Sequence, residues 1–316
     1  MTVEKRALIL CLHLQRHLDR FRGLFDDHGI AVEAPEVEQQ MLAAELLPII
    51  GRFDGVIAGD DEFTAAVLES GRPRLRVVSK WGVGVDGIDR EAARRLGIAV
   101  FNTPDAFADE VADVVIGYLV LLARRLHEID RSVRQGGWSK PQGRSLRGKR
   151  LGVIGVGSIG RAVVRRGCAV GMEVCGFDTA EIDAEFRRET GLSVLSLDEL
   201  LAESDFVSLH CPLTPATHHL IDRAALARMR PGAYLINTGR GPLVDEVAMA
   251  EALRSRHLAG AALDVFEQEP LPAGSPLRDL DGVILGSHNA SNTLEAVQRV
   301  NRLSIDNLLR GLGIEP

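Results

Sequence analysis

Three side chains in the last third of the chain have the types needed for acid–base work on a carbonyl. Arg240 stands in "INTGRGPLVDE", Glu269 in "ALDVFEQEP" and His288 in "ILGSHNA". A guanidinium can fork onto a carboxylate and polarise the carbonyl next to it. An imidazole can give a proton to the carbonyl oxygen as a hydride reaches the carbon. A carboxylate beside that ring holds it in place and favours its charged form. The set suits interconversion of a 2-oxo acid and a 2-hydroxy acid. Each residue alone has an ordinary reading: a histidine is often structural, and an arginine after a strand is often a surface residue. The joint occurrence of all three, each just after an apolar run, is what points to chemistry.

Two glycine loops match G-x-G-x-x-G: Gly82, Gly84 and Gly87 in "WGVGVDGID", and Gly155, Gly157 and Gly160 in "IGVGSIGR". The spacing alone is weak evidence, so context decides. The second loop follows the apolar run "RLGVIG" and opens a helical stretch at 158–170. The next strand candidate, "EVCGFD", ends in Asp178, 18 residues past Gly160. An acid about 20 residues on accepts hydrogen bonds from an adenosine ribose. This loop is the one expected to hold a dinucleotide, with the pyrophosphate on the helix N-terminus. Asp178 repels a 2′-phosphate, which favours NAD over NADP; Arg187 and Arg188 are the nearest cations that could reverse this. The first loop fails the same test. Asp86 sits inside it, the helix begins only after Asp89, a candidate N-cap, and "IAVFN" carries no acid at its tip. Its backbone N–H groups suit a small carboxylate, or it is simply a turn.

The elements that must position these residues alternate along the chain. Strand candidates in the first third are "ALILCL", "IAVEA", "GVIAG", "LRVVS" and "IAVFN", with helical stretches at 37–50 and 90–96 between them. A long helix is expected over 107–134, stopped by Gly136 and Gly137. A polar arm, "GGWSKPQGRSLRGKR", follows. A second series of strand candidates then runs through "RLGVIG", "EVCGFD", "FVSLH", "AYLINT", "GAALDVF" and "GVILGS", with a final helix at 294–309. Alternation of this kind implies parallel sheets covered by helices. In such sheets the strand carboxyl ends line the ligand crevice, which is where Arg240, Glu269 and His288 fall.

The length of 316 residues suggests two domains. With 44 acidic and 37 basic side chains the net charge is -7, which disfavours a nucleic-acid surface. The longest apolar stretch, 114–123, is too short to span a bilayer. "MTVEKRALILCLHL" reads as a first buried strand, not a signal peptide. The four cysteines form no C-x-x-C pair and read as small core residues of a cytoplasmic protein.

The ordered segments "KWGVGVDGID", "NTPDAFADEVAD", "LRGKRLGVIGVGSIGR", "LHCPLTPATHHLI", "INTGRGPLVDE", "ALDVFEQEP" and "SHNAS" resemble the D-2-hydroxyacid dehydrogenase family almost end to end. The resemblance implies two doubly wound domains joined by a long helix. These are a flavodoxin-like substrate domain, 1–103 completed by a C-terminal helix at 291–316, and a Rossmann NAD-binding domain at 104–290. It implies Arg240, Glu269 and His288 as the catalytic trio. At the cofactor it implies Gly155, Gly157, Ser158, Ile159, Gly160 and Asp178, then Cys211, Pro212, Thr217 and Thr238, with Asp264 near the nicotinamide carboxamide. Gly82, Val83 and Gly84 are implied at the substrate carboxylate, together with Arg240 and His288, and a homodimer through the long helix and the arm. Ser287 stands where a proline is common before the histidine, Asp113 where the long helix usually has Glu, and Gly239 where Ala is common. Formate-oxidising relatives carry Gln where Glu269 stands, which counts against that reaction here.

Within the family the chain resembles short-form phosphoglycerate dehydrogenases, which implies 3-phosphohydroxypyruvate, with 3-phosphoglycerate oxidised in reverse, as the expected substrate and no serine-feedback domain. The arginine that some members use for a substrate phosphate is replaced by "AGDDE" near Gly59, so Lys80 and Lys140 are the candidate cations for an anionic tail. Against them, Asp60 and Asp61 could neutralise those lysines or repel a phosphate. Hydroxypyruvate, glyoxylate, lactate-type acids or a sulfonate or phosphonate analogue are alternative substrates. A non-catalytic NAD sensor, resembling the corepressor branch, is the rival of another class.

Overall fold

A computed structural model describes residues 5–315. The chain divides into two compact units, Met1–Ala106 with Thr293–Pro316, and Phe107–Asn292. Residues 1–4 and 316 lie outside the described residues, so the outermost ends of the expected first and last segments do too.

The first unit is built on a parallel sheet of five strands among the described residues: β1 (Lys5–Ile9), β2 (Ile30–Glu33), β3 (Gly55–Ala58), β4 (Val77–Lys80) and β5 (Ala99–Phe101). Their order, β2-β1-β3-β4-β5, is the flavodoxin-like one. β3 and β4 are buried along their whole length. That is why they read as unbroken apolar runs and not as alternation. The helix Leu294–Gly311 packs on this sheet. Ser79 Oγ donates to the Ser304 carbonyl at 2.8 Å, and Trp81 Nε1 donates to Asn301 Oδ1 at 2.7 Å.

The second unit carries β6 (Arg150–Ile154), β7 (Glu173–Phe177), β8 (Ser193–Val194), β9 (Phe206–Leu209), β10 (Ala233–Asn237), β11 (Leu258–Leu263) and β12 (Val283–Leu285). All pair in parallel in the order β12-β11-β10-β9-β6-β7-β8. The strand order reverses between β6 and β9, the switch point at which such sheets bind ligands. One face packs Val153, Phe206 and Ile236 against Leu119, Leu122 and Val163 of two helices. The other packs Leu235 and Leu263 against Leu226 and Met249.

Two expected helices differ. Over 107–134 there are two, Ala108–Arg124 and Leu126–Arg134, separated by Arg125 at φ 53°. Neither glycine nor proline marks this break. The Arg125 guanidinium grips Glu128 with two hydrogen bonds, of 2.8 and 2.5 Å, across the first turn of the second helix. Over 37–50 only Ala43–Leu46 is α-helical. The segment before it is drawn to a neighbouring loop, where Met41 N–H donates to Asp61 Oδ1 at 2.7 Å and Glu62 N–H to the Met41 carbonyl at 3.0 Å.

Candidate active site

The loop after β6 is shaped by close approaches. Gly155 has φ 88°, and a Cβ there would lie 2.5 Å from Cys211 N. A Cβ at Gly160 would lie 2.0 Å from the Gly155 carbonyl oxygen. The fold itself therefore demands these two glycines. Gly157 is different: it is exposed, and a Cβ there would meet nothing within 4 Å. The fold does not require glycine here, and the space where a side chain would stand is open to a group from outside. Gly157 is also the N-cap of the helix Ser158–Ala169 and offers no side-chain cap. The first-turn N–H groups, around Ser158 and Ile159, are left for an external anion. Asp178 follows β7. Its Oδ2 accepts from Val156 N at 2.7 Å and its Oδ1 from Ala180 N at 2.8 Å, so the carboxylate is fixed beside the glycine loop. These residues fit a dinucleotide whose ribose lacks a 2′-phosphate.

Beyond β9, Cys211 and Pro212 open a loop in which Thr217 Oγ1 donates to the Pro212 carbonyl at 2.7 Å. Burial pushes the Cys211 thiol up to about 11, so it stays protonated. Thr238 Oγ1 lies 3.4 Å from Nδ1 of His210, whose Nε2 meets Ser208 Oγ at 2.8 Å. Burial pushes the His210 imidazole down to about 3.

Arg240 leaves β10 on a loop held by the buried Asn237. Asn237 Nδ2 donates to the Arg240 carbonyl at 2.8 Å, and Gly239 N donates to Asn237 Oδ1 at 3.0 Å. Glu269 Oε2 meets His288 Nδ1 at 2.7 Å, and its Oε1 accepts from Phe266 N at 2.9 Å. Both side chains of the pair are partly exposed, 24% for His288 and 16% for Glu269. The Arg240 loop touches the Glu269 loop directly: a Cβ at Gly241 would lie 1.8 Å from the Phe266 carbonyl carbon. His288 has φ 53°, a left-handed conformation in which histidine is enriched. Asp264 is only 2% exposed, and its oxygens accept from Asn289 N at 3.1 Å and Ala290 N at 2.8 Å. Its carbonyl accepts from His288 N at 2.6 Å. In this structure Asp264 thus braces the His288 loop. Sequence reasoning passed over Asn237, although a buried asparagine at a strand end, next to a glycine and an arginine, was a readable signal.

In the first unit the Gly82 N–H is not bare: it donates to Thr103 Oγ1 at 3.1 Å. Asn102 Nδ2 braces the loop at the Val83 carbonyl, at 2.7 Å. The Val83 and Gly84 N–H groups have no hydrogen-bond partner among the described residues. Gly87 is required by the approach of the Asp61 carbonyl, 2.8 Å from where its Cβ would be. Lys80, expected as a cation for an anionic tail, is 7% exposed and already engaged. Its Nζ lies 3.1 Å from Asp60 Oδ1 and donates to the Trp81 carbonyl at 3.0 Å. Lys140 is exposed on the arm of the second unit. Among the described residues no group of His, Cys, Asp and Glu side chains could hold a metal ion, and no helix is long and apolar enough to cross a membrane.

A doubly wound sheet with an open glycine loop and a carboxylate–imidazole pair at its carboxyl edge defines a dinucleotide-dependent oxidoreductase. Residues 116–290 match the family model described as D-isomer specific 2-hydroxyacid dehydrogenase, NAD binding domain. The chain is 42% identical over 258 residues to a glyoxylate reductase of Thermofilum pendens, covering 79% of this chain and 75% of the relative. It is 40% identical over 283 residues to a D-3-phosphoglycerate dehydrogenase of Methanocaldococcus jannaschii, covering 87% of this chain but only 53% of that protein. The crystal structure of a D-lactate dehydrogenase from Aquifex aeolicus, complexed with NAD and lactic acid, is similar with a TM-score of 0.87 and 27% identity, over 98% of this chain and 96% of that one. The chain belongs to the D-isomer specific 2-hydroxyacid dehydrogenase family. It is an NAD-dependent oxidoreductase acting on the CH–OH group of 2-hydroxy acids.

Proposed function

We propose that Arg240, Glu269 and His288 perform this reaction on a small 2-oxo acid with an uncharged tail, glyoxylate or hydroxypyruvate in type. The bound nicotinamide supplies or accepts the hydride. His288 gives its Nε2 proton to the carbonyl oxygen during reduction and takes it back during oxidation. The observation that carries the reading is the 2.7 Å contact between His288 Nδ1 and Glu269 Oε2. It engages Nδ1 and leaves Nε2 as the ring nitrogen turned away from the carboxylate. Arg240 forks onto the substrate carboxylate and polarises the carbonyl. In the first unit, the Val83 and Gly84 N–H groups, which make no hydrogen bond among the described residues, suit a small carboxylate.

The Lys80–Asp60 pair supports the uncharged tail. A buried cation that already has a carboxylate partner has little attraction left for a phosphate, and a phosphate would face Asp60 as a like charge. The test is NADH oxidation with glyoxylate, hydroxypyruvate, phosphohydroxypyruvate and pyruvate. The reading expects the highest kcat/KM with one of the first two. A preference for the phosphorylated acid would overturn the tail assignment and leave the trio standing. Turnover of none would favour the NAD-sensor reading.

We also propose a cytoplasmic homodimer formed through Leu126–Arg134 and the arm that follows. That helix buries none of its own residues, and Leu126, Val133 and, on the arm, Trp138 (76% exposed) face outward. A monomeric mass in sedimentation equilibrium would refute the dimer. The four cysteines are all free thiols, as a reducing compartment requires.

A further inference from the structure

We propose that His219 is a positioning residue for the catalytic trio, a strut that ties the Arg240 loop to the Glu269 loop through Glu267. The proposal rests on the assignment of the trio given above.

Arg240 and Glu269 follow different strands, β10 and β11, and each sits on an irregular segment. Backbone packing of Gly241 on the Phe266–Glu267 peptide brings the segments together but supplies no directional bond. His219 supplies two. It lies in the long connection after β9, at φ 50°. Its main-chain N–H donates to the Pro242 carbonyl at 2.7 Å, two residues past Arg240. Its ring Nε2 meets Glu267 Oε1 at 2.9 Å, two residues before Glu269. One residue therefore grips both catalytic segments, with its main chain on one and its side chain on the other.

The grip is reinforced on the Glu267 side. Glu267 N donates to Glu246 Oε1 at 2.7 Å, and Glu246 N donates to Glu267 Oε1 at 3.2 Å. This reciprocal clasp anchors Glu267 to the first turn of the helix Glu246–Arg254. From Glu267 the line continues through the neighbouring Phe266 N–H to Glu269 Oε1 at 2.9 Å, and from Glu269 Oε2 to His288 at 2.7 Å. The carboxylates of Glu246, Glu267 and Glu269 crowd together here; burial, then the charges of Glu267 and Glu269, push the Glu246 carboxyl up. The ring of His218 lies against that of His219, with centroids 4.1 Å apart, and limits its swing. Without the strut, the Glu267 loop keeps its clasp to Glu246 but loses the side-chain bond to the residue whose main chain holds the Pro242 carbonyl. A displacement of about 1 Å in a reacting group costs on the order of 10²-fold in rate.

The test compares His219→Asn, His219→Gln, Glu267→Ala and the double variant His219→Asn/Glu267→Ala. Asparagine tolerates the left-handed backbone but is too short for Glu267, whereas glutamine has the reach. The expected result for His219→Asn is a loss of about tenfold or more in kcat/KM for the best 2-oxo acid, with NADH affinity and apo melting temperature close to wild type. His219→Gln should return to within about threefold of wild type, and the double variant should be no worse than Glu267→Ala alone, since both remove one linkage. Normal kcat/KM in His219→Asn, absence of rescue by glutamine, or multiplication of the two single losses would each overturn the proposal. If His219→Asn does not fold, Glu267→Ala decides the matter: it keeps the backbone of His219, removes the Glu246 N–H bond as well, and must show at least the tenfold loss. His288→Ala is the control. If it keeps its turnover the trio assignment fails; if it loses turnover while His219→Asn does not, only the strut fails.

Discussion

Replacing Gly157 by alanine separates a glycine kept for the fold from one kept for the cofactor. The new methyl meets no atom within 4 Å, and the backbone, at φ -75° and ψ -155°, is extended and open to alanine. Removing glycine's freedom from the unfolded chain stabilises by about 0.4–1 kcal/mol. Losing glycine's advantage over alanine at an N-cap removes a comparable amount, about 0.5–1 kcal/mol. The net change is within about 1 kcal/mol, or roughly 2–4 °C in a domain of this size. Bound NADH meets a different situation, since the methyl occupies the space the pyrophosphate needs. Overpacking costs about 1–3 kcal/mol, a weakening of roughly five- to 150-fold in Kd. The assays are a thermal melt of the cofactor-free chain and a fluorescence titration with NADH. Gly160→Ala is the contrast: its Cβ would collide with the Gly155 carbonyl at 2.0 Å, so it should lower the melting temperature of the free chain as well. Wild-type NADH affinity in Gly157→Ala, or a collapse of its apo stability, would refute the reasoning.

Asp178→Ala should weaken NADH binding and narrow the gap between NADH and NADPH, read by titrating both; tighter NADPH than NADH binding in the wild type would contradict the assignment. Asp60→Asn frees the Lys80 ammonium from its ion pair and should raise the kcat/KM ratio of phosphohydroxypyruvate to hydroxypyruvate by about tenfold, the low end of a charge-assisted contact; an unchanged ratio would separate Lys80 from the substrate tail. His210 is lowered to about 3 when folded, whereas the unfolded ring takes a proton near pH 6.5. The folded state thus has its full advantage above pH 6.5 and loses it as pH falls toward 3, by up to about 1.4 kcal/mol per pH unit. His210→Gln should flatten that slope in urea unfolding between pH 7 and 5, and an unaltered slope would refute it.

The strands that carry the site were legible because parallel strands buried on both faces are short apolar runs with a polar or glycine stop. β6 ends at Ile154, just before Gly155, β7 at Phe177, just before Asp178, and β10 at Asn237, three residues before Arg240. β8, Ser193–Val194, escaped because two exposed residues on a sheet edge have no pattern to show. The break at Arg125 escaped because no glycine or proline marks it, and the local i,i+3 pair with Glu128 is one that an unbroken helix allows equally. Lys80 illustrates a further limit. Its type, its place beside a glycine loop and the two acids of "AGDDE" that could neutralise it were readable, but which of Asp60 and Asp61 would pair with it was not. Only the register of β3 on β4, with Ala58 opposite Lys80, brings Asp60 alongside. His219 was hidden for the same reason, since its grip on two loops depends on where three separate strand ends converge.

The central claim is that His288, oriented by Glu269, carries the proton in NAD-dependent reduction of a small 2-oxo acid. Its most direct test is NADH oxidation with glyoxylate and hydroxypyruvate by wild type and His288→Ala, with NADH affinity measured in parallel. The account predicts turnover by the wild type, and in the variant a fall in kcat of about 10²–10⁴-fold with NADH affinity nearly unchanged. Near-normal turnover by His288→Ala would contradict it.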